Sequence, residues 1–136
     1  MAQARRLHAQ PQLTILLAER DLYAAELAEY LLRTEGHRVR TVLDTVSAEE
    51  TLRSELIDLL MVDLMISGGD GVELCRRTRD RCAVLAVSAV DSGDAALQAG
   101  ADAFLRKPLE PARLIATVRD LLGTSANLRQ PAHAHE

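Results

Sequence analysis

Continuous apolar runs alternate with amphipathic stretches along most of the chain. The runs are short and rich in aliphatic residues, which is typical of strands that are buried on both faces of a sheet. Between them, apolar residues recur three or four positions apart, the spacing of one face of a helix. The pattern therefore predicts strands at residues 13–18, 37–43, 57–63, 83–89 and 102–108.

The amphipathic stretches carry signals for the beginning and end of helices. Ser47 and Glu50 are spaced as in a capping box, and Asp70 is placed to cap the stretch that follows it. Three glycines stand where the amphipathic pattern stops, namely Gly36, Gly100 and Gly123. The predicted helices cover residues 21–36, 47–55, 71–80, 92–100 and 110–123.

Alternating strands and helices predict an α/β fold. Five strands in this order favour a doubly wound parallel sheet with helices on both faces. The length of 136 residues suits one domain, which we place at residues 13–123. The segments 1–12 and 124–136 are polar or small and contain proline, so we predict that both are flexible.

Composition excludes several classes of protein. The net charge is −4, which argues against a nucleic-acid partner. No apolar stretch approaches the ~20 residues that span a bilayer, and the basic N-terminal segment has no apolar core of a signal peptide. Cys75 and Cys82 form no disulfide framework, so we expect free thiols and a cytoplasmic location.

Candidate chemistry gathers at the ends of the predicted strands. In parallel α/β sheets, ligands bind beyond the carboxyl ends of the strands, where this chain places a carboxylate, a hydroxyl and an ammonium. Asp63 could act as a nucleophile, and Ser88 and Lys107 could hold the oxygens of a phosphoryl group. We expect the Asp63 carboxylate to be reachable from solvent. Residues Glu19, Arg20 and Asp21 follow the first strand at the same edge.

Three stretches, "VDLMISGGDG", "VSA" and "AGADAFLRKP", resemble the receiver domains of bacterial two-component response regulators. The resemblance covers residues 13–122 and implies a flavodoxin-like fold with Asp63 as phosphoacceptor. It implies that Ser88 and Lys107 bind the phosphoryl group, that a cis peptide precedes Pro108, and that Phe104 is the switch aromatic.

The resemblance also implies partners and a cofactor. A histidine kinase or phosphotransfer protein would supply the phosphoryl group with the help of Mg²⁺. A downstream protein target would read the surface formed by the fourth helix, fifth strand and fifth helix. The resemblance leaves open whether the domain forms a homodimer. The second and fourth helices look about one turn short for the family, which would alter that surface.

The sequence departs from the family at its metal site. The family carries two adjacent acids after the first strand, whereas this chain has Glu19 and then Arg20. The metal ligands would be Glu19, Asp63 and the Met65 carbonyl, and a guanidinium cannot replace a ligand because it has no acceptor. Either Arg20 pairs with Asp63 or Glu19 and displaces Mg²⁺, or Arg20 faces solvent and Asp21 turns in as the second acid.

Three hypotheses follow. The leading one is a stand-alone receiver domain that signals through protein contacts and is not an enzyme, beyond self-dephosphorylation at most. The alternative is a pseudo-receiver, a phosphorylation-independent interaction module in which Arg20 occupies the metal position. A flavodoxin-like enzyme or cofactor binder is disfavoured, because the loop "AERDLY" is charged and bulky and because Met65 stands where an aspartyl phosphatase needs a second acid.

Overall fold

The structure, a computed structural model, describes residues 12–67 and 70–135, with residues 124–135 described by their backbone only. Strands and helices alternate without exception along this part of the chain. The strands are β1 (Thr14–Ala18), β2 (Arg38–Val42), β3 (Leu59–Asp63), β4 (Ala83–Ser88) and β5 (Ala103–Arg106). The helices are α1 (Leu22–Thr34), α2 (Thr45–Ser54), α3 (Gly71–Thr78), α4 (Gly93–Gln98) and α5 (Pro111–His135).

The five strands form one parallel sheet in the order β2-β1-β3-β4-β5. This is the flavodoxin-like order, in which the chain reverses its direction of winding between β1 and β3. The predicted fold class is therefore confirmed. The carboxyl ends of β1 and β3 lie side by side at the reversal, since Ala18 pairs with Val62 one residue before Asp63.

Each face of the sheet carries its own core, because successive side chains along a strand point to opposite faces. Leu16 and Ala18 of β1 belong to the core beneath α2, α3 and α4. Ile15 and Leu17 belong to the core beneath α1 and α5. The central strands β3 and β4 are buried along their whole length, which explains their nearly continuous apolar sequences.

Aspartates begin three of the helices. The Asp70 side chain accepts a hydrogen bond from the Val72 amide, as predicted. The capping box predicted at Ser47 is wrong, since α2 begins at Thr45 and the Asp44 carboxylate accepts from the Ser47 amide at 2.7 Å. An aspartate at the N-cap satisfies the same free amides as a serine would, and here it lies three residues earlier.

Two of the three predicted glycine stops are confirmed. Gly36 and Gly100 have φ of 92° and 109°, the left-handed backbone in which helices commonly end. Gly123 is not among the positive-φ glycines of the described part, and α5 continues through it to His135. The helix end predicted at Gly123 is therefore wrong.

The termini and cysteines complete the comparison with the sequence. The predicted flexibility of residues 1–12 and 124–136 stays a prediction, with residues 1–11 and 136 outside the described part. Cys75 and Cys82 are both buried, and neither forms a disulfide within the described part of the chain. Among the described helices, none combines the length and hydropathy that a membrane span requires.

Candidate functional site

The parallel sheet brings the predicted groups to one edge. Asp63 ends β3 and Ser88 ends β4, while Glu19 and Lys107 directly follow β1 and β5. These four strands are neighbours in the sheet, so their carboxyl ends share one edge. The backbone ties the edge together: the Lys107 amide donates to the Ser88 carbonyl at 2.9 Å, and the Leu64 amide donates to the Val87 carbonyl at 2.8 Å.

Both carboxylate oxygens of Asp63 have partners. The Met65 amide donates to Oδ1 at 2.8 Å, and the Lys107 ammonium donates to Oδ2 at 2.6 Å. The side chain is only 7% exposed, so the carboxylate is much less open to solvent than the sequence led us to expect. It is buried because β3 lies in the middle of the sheet and because the Lys107 side chain pairs with the carboxylate.

Lys107 joins two acids. Its Nζ also lies 2.8 Å from Glu19 Oε1, and the Glu19 side chain is 4% exposed. The peptide bond from Lys107 to Pro108 is cis, as the resemblance implied. Lys107 is the only lysine of the chain, since every other residue among its 16 lysines and arginines is an arginine. A single lysine among so many arginines indicates a position that requires an ammonium, because an ammonium is a compact point charge whereas a guanidinium is a planar fork.

Burial and mutual contacts change the pKa values of the three charged groups. Burial raises the pKa of Glu19 and outweighs the hydrogen bond from Lys107. Burial also opposes ionisation of Asp63, but the hydrogen bonds from Lys107 and Met65 lower the pKa of Asp63 overall. The pKa of Lys107 is raised, since its hydrogen bonds to Asp63 and Glu19 outweigh its burial. Asp63 is thus held as the anion, the form of a carboxylate that can act as a nucleophile.

Arg20 and Asp21 lie outside this charged cluster. The Arg20 side chain is exposed, and the structure shows no ion pair between it and Glu19 or Asp63. The pairing predicted for Arg20 is made by Lys107 instead. Asp21 is also exposed, and its carboxylate accepts from the Tyr23 amide as the N-cap of α1, so it does not serve as the second acid.

The donor atoms at this edge do not fit Mg²⁺ as they are arranged. Mg²⁺ takes near-octahedral oxygen ligands. Glu19 and Asp63 supply two carboxylates, and both are paired with one ammonium. Within residues 12–67 and 70–123, no group of three or more His, Cys, Asp or Glu side chains could hold a metal ion. The Met65 carbonyl, the third predicted ligand, would have to work with acids that are already engaged.

Ser88 is the last residue of β4, and Phe104 lies within the neighbouring strand β5, where it pairs with Ala86. Ser88 is fully buried, and its Oγ accepts from the Val90 amide at 3.2 Å. Phe104 is partly buried against the core beneath α2, α3 and α4. A Cβ placed on Gly93 would lie 3.1 Å from the Phe104 ring, so this glycine leaves the room that the ring uses.

Gly71 is a structural residue of the site that the sequence reasoning missed. A Cβ at Gly71 would lie 2.6 Å from the Leu64 Cα, so the loop after Asp63 packs directly on the first turn of α3. The available signal was a glycine immediately after the capping Asp70, a position where most helices carry a side chain.

A shallow groove of about 460 Å³ opens beside the cluster. It runs between the first turns of α1 and the loops after β4 and β5, and its surface is mainly apolar. Its lining residues are Asp21, Tyr23, Ala24, Leu27, Ala89, Lys107, Pro108 and Leu109.

Comparison with known proteins gives one consistent family. The family described as "Response regulator receiver domain" matches residues 15–119. Transcriptional regulatory protein CseB of Streptomyces coelicolor is 35% identical over 116 residues, which are 82% of this chain and 50% of that protein. DNA-binding response regulator MtrA of Mycolicibacterium paratuberculosis is 33% identical over 110 residues, 77% of this chain and 49% of that protein. The chain thus spans about half the length of these curated relatives.

Solved structures agree with the sequence relatives. A putative response regulator from Chloroflexus aurantiacus is 30% identical, with a TM-score of 0.79 over 83% of this chain and 99% of that one. A response regulator from Thermotoga maritima is 26% identical, with a TM-score of 0.75 over 83% and 99% of the two chains. The sheet order, the cluster at its carboxyl edge and these matches show that the chain belongs to the response regulator receiver domain family.

Proposed function

We propose that this receiver domain accepts a phosphoryl group on Asp63 from a histidine kinase or phosphotransfer protein. The observation that carries the proposal is the paired state of Asp63. Its carboxylate is held between the Met65 amide and the Lys107 ammonium, and the resulting lowered pKa keeps it ionised at neutral pH. Its place at the carboxyl edge of the sheet is where α/β folds receive ligands.

The chemistry is an in-line transfer in which an Asp63 oxygen forms a bond to phosphorus. The bond between phosphorus and the donor nitrogen breaks, and its electron pair returns to the imidazole, which takes a proton from solvent. The phosphoryl oxygens bring additional negative charge to the edge. Lys107 can offset that charge from its present position, and the Ser88 hydroxyl can donate to a phosphoryl oxygen.

The groove beside Lys107 suits a protein donor. Tyr23 on its rim is 85% exposed and Leu27 is 44% exposed, and they lie one helical turn apart on α1. Exposed apolar side chains next to a buried charged cluster favour a protein surface over a small polar ligand.

Output is proposed to pass through protein contacts around Phe104. Helix α4 has only six residues, which supports the expected change in the output surface of the fourth helix, fifth strand and fifth helix. The named relatives are DNA-binding or transcriptional regulators, whereas the net charge of −4 favours a protein target for this domain. A stand-alone role, a cytoplasmic location and a homodimer stay predictions, and the size of the native protein in cell extracts tests the first.

A second candidate is the pseudo-receiver, in which Asp63 is never phosphorylated. One observation favours it: Lys107 already pairs with both buried acids, so neither acid needs a metal ion or a phosphoryl group as its partner. In this version the blocking cation is Lys107 rather than Arg20.

Intact-mass measurement separates the two candidates. The protein is incubated with a small acyl phosphate, beside Asp63→Asn and the exposed control Asp120→Asn. The receiver proposal expects a gain of one phosphoryl group in the wild-type protein and in Asp120→Asn, and none in Asp63→Asn. If none of the three proteins gains a phosphoryl group, and if a histidine kinase also fails to phosphorylate the wild-type protein, the pseudo-receiver is the candidate that remains.

A further inference from the structure

We propose that Lys107 is the resident cation of this site, and that the site works without a divalent metal. The part of the inference that concerns phosphoryl transfer rests on the proposed function. The part that concerns the cation rests on contacts and charges alone, and it can be tested without any phosphorylation.

The first argument is the position of the ammonium. Nζ lies 2.6 Å from Asp63 Oδ2 and 2.8 Å from Glu19 Oε1, so one positive charge bridges two carboxylates from different strands. The side chains of Glu19, Asp63 and Lys107 are 4%, 7% and 17% exposed. Charges interact more strongly where water is excluded, so a metal ion would have to separate a well-shielded cluster before it could bind.

The second argument is the loop after β1. Asp21 cannot readily become the missing acid, because three hydrogen bonds hold it in the cap of α1. Its amide donates to Glu19 Oε2 at 3.0 Å, its carboxylate accepts from the Tyr23 amide at 3.0 Å, and its carbonyl accepts from the Ala25 amide at 2.9 Å. Turning the carboxylate toward Asp63 would uncap the helix.

The third argument is the charge balance. Glu19 and Asp63 contribute two negative charges and Lys107 one positive charge, which leaves −1 in the buried cluster. Arg20, at the position next to Glu19, contributes no carboxylate and makes no ion pair with either acid. A divalent cation would therefore meet a cluster whose two acids share an ammonium and carry a net charge of only −1, instead of a set of free acids.

The consequence for transfer is that Lys107 alone offsets the charge that arrives with the phosphoryl group. An Asp63 oxygen forms the bond to phosphorus, and the bond from phosphorus to the acyl oxygen of a small donor breaks. The electron pair leaves with the donor carboxylate, so no proton is required. Lys107 then contacts the phosphoryl oxygens while it keeps its ion pair with Glu19.

The lone lysine makes the test direct. Isotope-labelled lysine gives one side-chain Cε resonance, that of Lys107, because the chain has no other lysine. Mg²⁺ is titrated into the wild-type protein, into Arg20→Asp, and into Arg38→Asp as a control. Arg38 is exposed at the opposite end of the sheet, where β2 begins, so its replacement changes the net charge equally.

We expect no saturable shift of the wild-type resonance up to about 10 mM Mg²⁺, a concentration about tenfold above the dissociation constants of weak protein sites for Ca²⁺. Arg20→Asp restores an acid, and we expect it to bind at least about tenfold more tightly than the wild-type protein. Arg38→Asp should match the wild-type protein. A saturable wild-type shift at millimolar Mg²⁺, as strong as that of Arg20→Asp, would overturn the inference.

The mass measurement, repeated with Mg²⁺ and with a chelator, keeps the two proposals apart. Equal phosphorylation in both conditions supports both proposals. Phosphorylation that requires Mg²⁺ supports the receiver and overturns the resident-cation inference. No phosphorylation together with an unmoved Lys107 resonance contradicts the receiver and upholds Lys107 as the cation of the site.

Discussion

The Lys107 ammonium lies 2.6 Å from Asp63 and 2.8 Å from Glu19, and so joins the strand ends of β1, β3 and β5 through one side chain. A buried charge needs a partner, because its removal from water is costly. Here two carboxylates share one partner, which explains why a central sheet strand can end in an aspartate.

Replacement of Lys107 by methionine should destabilise the fold. The change leaves Glu19 and Asp63 buried without their ammonium, and we expect the free energy of unfolding to fall by about 3 kcal/mol. Urea denaturation at neutral pH measures the loss. The additional change Glu19→Gln should recover part of the loss by removing one of the unpaired charges. Unchanged stability in Lys107→Met would contradict the buried ion pair.

Gly71 and Gly123 should respond to alanine in opposite directions. A Cβ at Gly71 meets the Leu64 backbone at 2.6 Å, so Gly71→Ala should cost about 2 kcal/mol of stability. Gly123 lies inside α5 with nothing within 4 Å of a new Cβ, so Gly123→Ala should stabilise the protein by about 0.5–1 kcal/mol. Thermal denaturation of the pair serves as its own control, and a destabilising Gly123→Ala would contradict the continuous helix.

Gly93 should control the position of the Phe104 ring. Phe104 is the only phenylalanine, so a fluorinated analogue gives one fluorine resonance. Gly93→Ala places a methyl group 3.1 Å from the ring, and we expect the resonance to move toward that of a more exposed ring. Ala95→Ser, at an exposed position of the same helix, should leave it in place. Identical spectra for the two variants would remove Gly93 from this role.

His37 should make stability depend on pH. It is 8% exposed, its Nδ1 has no hydrogen-bond partner, and burial lowers its pKa below the ordinary value of 6.5. The unfolded chain therefore takes up the proton first, so stability is lost as the pH falls below 6.5 toward the lowered pKa. Urea denaturation at about pH 7.5 and about pH 5.5 should show a smaller loss in His37→Leu than in the wild-type protein. Equal losses would show that His37 does not titrate in this way.

Much of the fold could be predicted because its pattern is local. Continuous aliphatic runs marked the buried strands, and the glycines at positions 36 and 100 marked helix ends where the backbone turns left-handed. The helix end predicted at Gly123 was wrong because, in the sequence, a glycine within a helix looks the same as a glycine that ends one. Only its backbone angle, which is set by the packing and chain around it, separates the two cases.

The sequence allowed us to predict which residues form the site, but not which cation pairs with its two acids. The order of the parallel strands determines that Asp63, Ser88 and Lys107 share an edge. Which cation pairs with the acids depends on where two long side chains point, and both Arg20 and Lys107 follow strands that end at this edge. The hydrogen bonds that commit Asp21 to the α1 cap also turn the backbone at Arg20, and no spacing rule contains that information.

The central claim is that Asp63 receives a phosphoryl group, and mapping of the modified residue tests it most directly. After incubation with a small acyl phosphate, borohydride reduction converts a phosphorylated aspartate into homoserine, which peptide mass spectrometry locates. The account predicts homoserine at position 63 and at no other aspartate. Homoserine at a different aspartate, or an unmodified position 63 in protein that has gained a phosphoryl group, would contradict it.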